Sequence, residues 1–112
     1  MRRAGIVLAL SLALVSGACG ERSDPAKKVA GDGDAKRGRQ VYLAQCTACH
    51  AGDPAKDGPL GPAVKGASRE LLEARILYGS YPPGYTPKRA SALMQPVPAL
   101  KANIPDLAAF LR

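Results

Sequence analysis

Two cysteines and the single histidine of this chain lie within five consecutive residues, Cys46-Thr47-Ala48-Cys49-His50. On a helix, Cys46, Cys49 and His50 occupy positions i, i+3 and i+4 and therefore share one face. Two thiols and an imidazole then point the same way, so this face can lie against a flat group without a loop to organise it. The cluster limits the fold more than any other feature of the sequence, because the rest of the chain must leave room in front of it.

The spacing Cys-x-x-Cys-His is the attachment signature of haem c. The thiols of Cys46 and Cys49 add to the two vinyl groups of the porphyrin, and the imidazole of His50 becomes a ligand of the iron. A structural zinc site needs four ligands, and outside the cluster the chain has only Cys19 and no second histidine. A thioredoxin-like centre needs a βαβ context, which the sequence does not suggest. Buried cysteines beside a chance histidine are the third alternative, and we favour haem over all three.

The first eighteen residues have the pattern of a secretory signal peptide. Arg2 and Arg3 are followed by an apolar stretch, residues 6–15, and by the small residues Ser16, Gly17 and Ala18. The apolar stretch is too short for a stable membrane-spanning helix. We therefore expect export and cleavage, and the alternative is a short N-terminal anchor that is not cut. Export agrees with haem attachment, which in bacteria takes place outside the cytoplasm.

Cys19 follows the expected cleavage site, and residues 15–19 resemble a bacterial lipoprotein processing site, with Ser16 where leucine is usual. We expect a lipid on Cys19, which would explain an odd cysteine in an exported protein; the alternative is ordinary cleavage that leaves a thiol. Residues 19–33 are polar and without period, as in a flexible tether. Residues 34–112 form the expected folded domain.

The chain is basic, with a formal net charge of +7. A basic surface on an exported protein favours acidic partners or an anionic membrane surface. The charges are scattered rather than gathered in blocks, which argues against nucleic acid as a partner.

Three helices are predicted in the domain. Asp34 can cap a helix that runs to about Cys46, and Ser68 can cap Arg69–Tyr78, which Gly79 would end. Asn103 can cap a helix over residues 104–111, where Pro105 is tolerated in the first turn. Loops rich in Gly and Pro separate the helices, and the loop over residues 81–87 is either a docking surface or a shield for the haem edge. With only four Tyr, one Phe and no Trp, the core is thin, and we expect poor folding without the cofactor.

From about Asp34 to the C terminus, the pattern resembles the class I c-type cytochrome family. The haem signature lies near the start of the domain, whereas four-helix cytochromes of the c′ type carry it near the end. Residues 61–66, Gly-Pro-Ala-Val-Lys-Gly, are similar to the family loop Gly-Pro-x-Leu-x-Gly, with Pro62 twelve residues after His50. In the family, the carbonyl of this proline accepts a hydrogen bond from the proximal imidazole. The resemblance thus implies that Pro62 orients His50.

The resemblance also implies that Met94 supplies the sixth ligand of the iron. Met94 lies on an irregular segment before the last helix, as the family methionine does, although Gln95 stands between it and Pro96. A lone methionine is more often core filler. With no other histidine in the chain, Cys19 and the lysines are the weaker candidates. The family also crosses its first and last helices closely, which implies packing of Gly38 and Tyr42 against Leu107 and Phe110.

The resemblance implies an all-α, small cytochrome c fold with three to four helices around one covalent haem. The function it implies is one-electron transfer with His50 and Met94 as axial ligands, in a bacterial periplasmic or membrane-anchored respiratory chain. No catalytic residue is expected, and the partners are redox proteins. One alternative is the cytochrome subunit of a periplasmic dehydrogenase or oxidase complex, so the protein is a monomer or a complex subunit. Another alternative is a gas-binding haem protein with an open iron position.

Overall fold

The computed structural model of the protein describes residues 32–112. These residues form three α-helices, α1 (Ala35–Gln45), α2 (Arg69–Tyr78) and α3 (Ile104–Leu111), and a 3-10 helix, Pro98–Asn103, that leads into α3. The described part contains no strand, so the all-α prediction is confirmed. The expected signal peptide, Cys19 and nearly all of the tether lie outside the described residues. Within residues 32–112, no helix is both long and apolar enough to cross a bilayer.

The first two helices begin and end where the sequence predicts. The carboxylate of Asp34 accepts hydrogen bonds from the backbone N–H groups of Lys36 and Arg37, at 2.9 and 3.3 Å. The hydroxyl of Ser68 accepts one from the N–H of Leu71 at 3.1 Å. These bonds satisfy donors that a helix leaves without partners at its N terminus. At the other end of α2, Gly79 takes the left-handed conformation, with φ of 65°.

The prediction that Asn103 caps α3 with its side chain is wrong. Asn103 makes no side-chain capping bond, and its backbone is already helical, with φ of −93° and ψ of −7°. A capping residue normally has an extended backbone, which turns its side chain towards the first N–H groups. Here the preceding 3-10 helix supplies the first turn instead, and the N–H of Ile104 donates to the carbonyl of Lys101. Pro105 lies in the first turn, as predicted.

Helices α1 and α3 cross at close range. A side chain at Gly38 would collide with the backbone carbonyl of Asp106, so only glycine permits this approach. The rings of Tyr42 and Phe110 pack with centroids 5.5 Å apart, and Tyr42 and Leu107 are each 1% exposed. The helix crossing implied by the resemblance is therefore present.

A buried carboxylate ties the start of α1 to α3, which the sequence did not reveal. Asp106 is 6% exposed. One of its oxygens accepts a hydrogen bond from the backbone N–H of Asp34 at 2.6 Å, and the other lies 3.1 Å from Nε of Arg37. Gly33, the last residue of the expected tether, also lies against the backbone of Pro105. Burial of Asp106 is thus compensated by a cation and a backbone donor.

The apolar core is small. Its fully or nearly fully buried members from the described residues are Tyr42, Ile76, Ile104, Leu107 and Leu111. Partly buried side chains, including Cys46, Val64, Leu72 and Met94, pack at its edge. The core is thus one-sided, and its open side faces a large cavity.

Candidate functional site

The Cys46–His50 cluster forms a turn that directly follows α1. Helix α1 ends at Gln45, close to the predicted end at about Cys46, so Cys49 and His50 lie beyond the helix. The hydroxyl of Thr47 donates to the carbonyl of Leu43 at 2.8 Å, a side-chain bond to a carbonyl of the last turn of α1. The N–H of His50 donates to the carbonyl of Cys46 at 3.0 Å. The turn therefore keeps the helix-like backbone hydrogen bond from residue i+4 to residue i between His50 and Cys46.

The cluster borders a cavity of about 720 Å³ between the helices and the loops that precede and follow α2. Cys46, Cys49, His50 and Met94 all line this cavity. Most of the remaining wall is apolar, and it includes Leu60, Val64, Leu71, Leu72, Leu93, Val97 and Leu100. Leu60, Leu93 and Val97 are among the exposed large apolar side chains, so much of the exposed apolar surface belongs to this cavity.

A hydrogen bond to Pro62 fixes the imidazole of His50. Nδ1 of His50 lies 2.8 Å from the carbonyl oxygen of Pro62. A carbonyl oxygen can only accept, so Nδ1 carries the proton and donates. The lone pair of the neutral ring is then on Nε2, which is the nitrogen available to a metal ion.

Two glycines that no sequence motif had linked to the imidazole lie very close to the cluster. A Cβ atom on Gly61 would lie 2.5 Å from Cε1 and 2.6 Å from Nδ1 of the His50 ring. A Cβ atom on Gly58 would collide with the carbonyl of Cys49. The N–H of Gly61 also donates to that carbonyl at 2.8 Å. Both glycines follow the cluster closely in the sequence, and this proximity is the signal that could have identified them.

Met94 is half-buried in a segment, residues 91–97, that has no regular secondary structure. The N–H of Val97 donates to the carbonyl of Ile76 at 2.7 Å and attaches the end of this segment to α2. One guanidinium nitrogen of Arg75 donates to the carbonyl of Met94 over 3.5 Å, which is a long hydrogen bond. The segment thus brings a soft thioether to the cavity that also contains His50.

The charged side chains that line the cavity in the described part of the chain are all positive. Lys65, Arg75, Lys88 and Arg89 line it, and no carboxylate is found among the described residues that do so. Nζ of Lys88 donates to the carbonyl of Ala63 at 2.8 Å. Arg89 forms an ion pair with Asp57 at 3.7 Å. These two contacts join the loop after α2 to the loop before it, and the cavity as a whole favours an anionic ligand.

Burial raises the pKa of two groups in or beside the core, Cys46 and Tyr42. It raises the pKa of the Cys46 thiol to about 11. It also raises the pKa of the Tyr42 phenol, with a smaller contribution from Cys46, and the hydroxyl of Tyr42 donates to the carbonyl of Ala51 at 2.6 Å. Surroundings that disfavour a thiolate suit an uncharged sulfur, such as that of a thioether.

These residues fit a covalently bound iron porphyrin. Two thiols are available for thioether bonds, and an imidazole with its lone pair on Nε2 is available for iron. Apolar walls suit the macrocycle, and four cations suit its two carboxylates. Among residues 32–112, no three side chains of His, Cys, Asp or Glu are grouped to hold a metal ion. The structure therefore adds nothing to the zinc interpretation.

Comparisons with known proteins point the same way. A family model described as cytochrome c matches residues 35–112. A protein of Synechocystis sp., named cytochrome c-553-like, is 34% identical over 79 residues, which covers 70% of this chain and 65% of the relative. The chain thus spans a little less than two thirds of the length of that relative.

Proposed function

Because the chain belongs to the cytochrome c family and holds its haem c through Cys46 and Cys49, we propose that it carries single electrons with His50 and Met94 as the axial ligands of the iron. When bound, the haem supplies a ferric–ferrous couple. The observation that carries the proposal is the convergence of these four residues on one cavity. The small, all-α cytochrome c fold surrounds that cavity.

The protein positions and tunes the iron ligands. The bond from Nδ1 of His50 to the carbonyl of Pro62 sets the tautomer and orientation of the ring and makes Nε2 more basic. Pro62 is therefore the residue that orients His50. The thioether of Met94 is soft and neutral, so it favours the ferrous state more than a second imidazole would.

Other features of the site suit electron transfer rather than catalysis. If both His50 and Met94 bind the iron, no position on it would remain for a substrate, so we propose no catalytic residue. Members of the cytochrome c family transfer electrons and are not enzymes in themselves. The rings of Tyr81 and Tyr85 stack 5.4 Å apart and both line the cavity, which supports the interpretation of their loop as a shield for the haem edge.

Optical spectra of the purified protein test the proposal. The spectrum of the reduced protein in alkaline pyridine reports haem type and covalent attachment together. The native ferric protein should show the weak far-red band of Met–iron charge transfer, and Met94→Ala should abolish it. Leu93→Ala, beside Met94 and also on the cavity, is the matched control and should keep the band. If the native protein lacks the band and its ferrous form binds CO readily, the protein is instead a gas-binding haem protein with an open iron position.

We also propose export to the periplasm, anchoring by a lipid on Cys19, and a role in a respiratory chain. The support is the sequence pattern of residues 1–33 alone, which lie almost wholly outside the described residues. Redox proteins are the partners that family membership implies. Mass spectrometry of the mature N terminus should show an acylated Cys19, and an unmodified cysteine would refute anchoring. Size-exclusion of a native extract separates a free carrier, which elutes small, from a subunit of a dehydrogenase or oxidase complex.

A further inference from the structure

Arg75 lies at the junction of three elements that border the cavity. One guanidinium nitrogen donates to the carbonyl of Gly79 at 2.6 Å, and the other reaches the carbonyl of Met94 at 3.5 Å. The guanidinium carbon lies 4.4 Å from the centroid of the Tyr81 ring. A single side chain of α2 thus contacts the end of its own helix, the aromatic loop and the backbone of Met94.

The surroundings of Arg75 hold its guanidinium plane in place. Tyr81 is itself stacked on Tyr85, with the two rings 7° from parallel. Gly79 has φ of 65°, and a Cβ atom there would lie 3.1 Å from Cγ of Pro96, so the end of α2 packs closely on the segment of Met94. Arginine suits this place because its planar group can stack on a ring while donating in fixed directions, which an ammonium cannot do.

The segment of Met94 needs such support. It has no helix or strand of its own, and the bond from Val97 to Ile76 holds it three residues beyond Met94. Arg75 reaches the carbonyl of Met94 itself. Loss of that contact would leave Met94 with more backbone freedom, which must be lost again when its sulfur binds iron.

We propose that Arg75 is a positioning residue that holds Met94 in place for ligation. The proposal rests on the function proposed above, since it requires that Met94 bind the iron. A different role would be to satisfy the last carbonyls of α2 and to interact with its dipole. That role would affect the stability of the protein but not the competition between Met94 and another ligand.

The competition can be measured by titration of the haem-loaded, full-length ferric protein with imidazole, which must displace the sulfur of Met94. Arg75→Lys and Arg75→Gln should both bind imidazole about two- to tenfold more tightly than the wild type, a range that corresponds to one hydrogen bond. The far-red Met–iron band should disappear as imidazole binds. Tyr81→Leu removes the ring on which Arg75 stacks but leaves both hydrogen-bond donors of Arg75. It should show a smaller gain in imidazole affinity, and it provides the test if the Arg75 variants do not fold.

Two controls separate positioning from charge and from helix stability. Lys101→Gln removes an exposed cation from the 3-10 helix that follows the segment of Met94, outside the lining of the cavity. Arg69→Gln removes an exposed ion pair with Glu73 from the same helix. Both should bind imidazole within about twofold of the wild type.

Each other outcome has a distinct meaning. Wild-type affinity in Arg75→Lys and Arg75→Gln, with or without a lower melting temperature, overturns the positioning role. An equal gain in Lys101→Gln overturns it as well, because the effect would then be one of charge. A wild-type protein that lacks the far-red band and binds imidazole as tightly as its Met94→Ala variant shows instead that the proposed ligation fails.

Discussion

At the scale of single residues, the imidazole of His50 is held by the carbonyl of Pro62 and by the close approach of Gly61. The signature identified the imidazole, and the resemblance implied its bond to Pro62. Neither indicated that Gly61 lies directly against the ring, with the position of a Cβ atom only 2.5 Å from Cε1. The glycine of the Gly61-Pro62 pair therefore serves His50 as directly as the proline does.

Gly61→Ala should disturb His50, the proposed iron ligand, although Gly61 itself is not proposed as a ligand. The added methyl would displace the imidazole or the loop that carries Pro62, and overpacking of this kind costs about 1–3 kcal/mol. Thermal unfolding of the haem-loaded protein and the NMR signals of the His50 ring would report both effects. Gly52→Ala is the matched control, because a Cβ atom there meets nothing within 4 Å, and its unfolding should be almost unchanged. Equal stability of the two variants would contradict the close approach.

Asp34 should contribute to the acid sensitivity of the fold. Hydrogen bonds from the backbone N–H groups of Arg37 and Lys36, the former being the stronger influence, lower the pKa of this carboxyl. Since the folded pKa is the lower one, its contribution is present above the unfolded value of about 3.9. It is lost as the pH falls through the folded pKa.

The test of this prediction compares unfolding free energies between neutral pH and about pH 3. Asp34→Asn and Asp34→Ser keep an oxygen that can cap α1 but do not titrate. Both variants should lose less stability than the wild type as the pH falls. Parallel curves for all three proteins would exclude Asp34 as a source of the acid sensitivity.

At the scale of elements, the close crossing of α1 and α3 depends on Gly38, because a side chain there would collide with α3. Periodicity and capping residues predicted α1 and α2 with their bounds, because these signals are local. Periodicity also predicted α3 over residues 104–111, but these signals did not predict the 3-10 helix that replaces the side-chain cap of Asn103. Nor did they predict that Asp106 would be buried opposite Arg37, since that contact exists only once the two helices meet.

Gly38→Ala should therefore lower the free energy of unfolding, although the same substitution in most helices raises it. Alanine in place of glycine within a helix normally stabilises it by about 1 kcal/mol. Here the methyl would collide with the carbonyl of Asp106 and separate the helices, at a cost of about 1–3 kcal/mol. Denaturant unfolding of the haem-loaded protein measures the change, and Arg39→Ala, at an exposed site of α1, is the control. A more stable Gly38→Ala variant would show that the helices are not in close contact.

At the scale of the whole molecule, the cofactor belongs to the core. The described residues bury few large side chains fully, namely Tyr42, Ile104, Leu107 and Leu111, and the apolar walls of a cavity of about 720 Å³ lie beside them. An apolar plate in that cavity would remove these walls from water. Without it, the core is small even for a domain of this length.

Cys46→Ser combined with Cys49→Ser should therefore give a protein without haem that is largely unfolded. Weak helical circular dichroism and the absence of a cooperative melting transition would show this. Cys19→Ser, which changes a cysteine outside the signature, is the control and should load haem and fold. Recovery of a compact, helical and haem-free double variant would contradict the view that the cofactor completes the core.

The sequence by itself determined the cofactor, its points of attachment and the extent of the three α-helices, because spacing, periodicity and capping are properties of neighbouring residues. Only the tertiary structure decided what surrounds the cofactor. The contact of Gly61 with His50, the stack of Arg75 on Tyr81 and the wall of four cations join residues from separate loops and helices. Such contacts follow from the packing of the whole chain, which no short pattern contains.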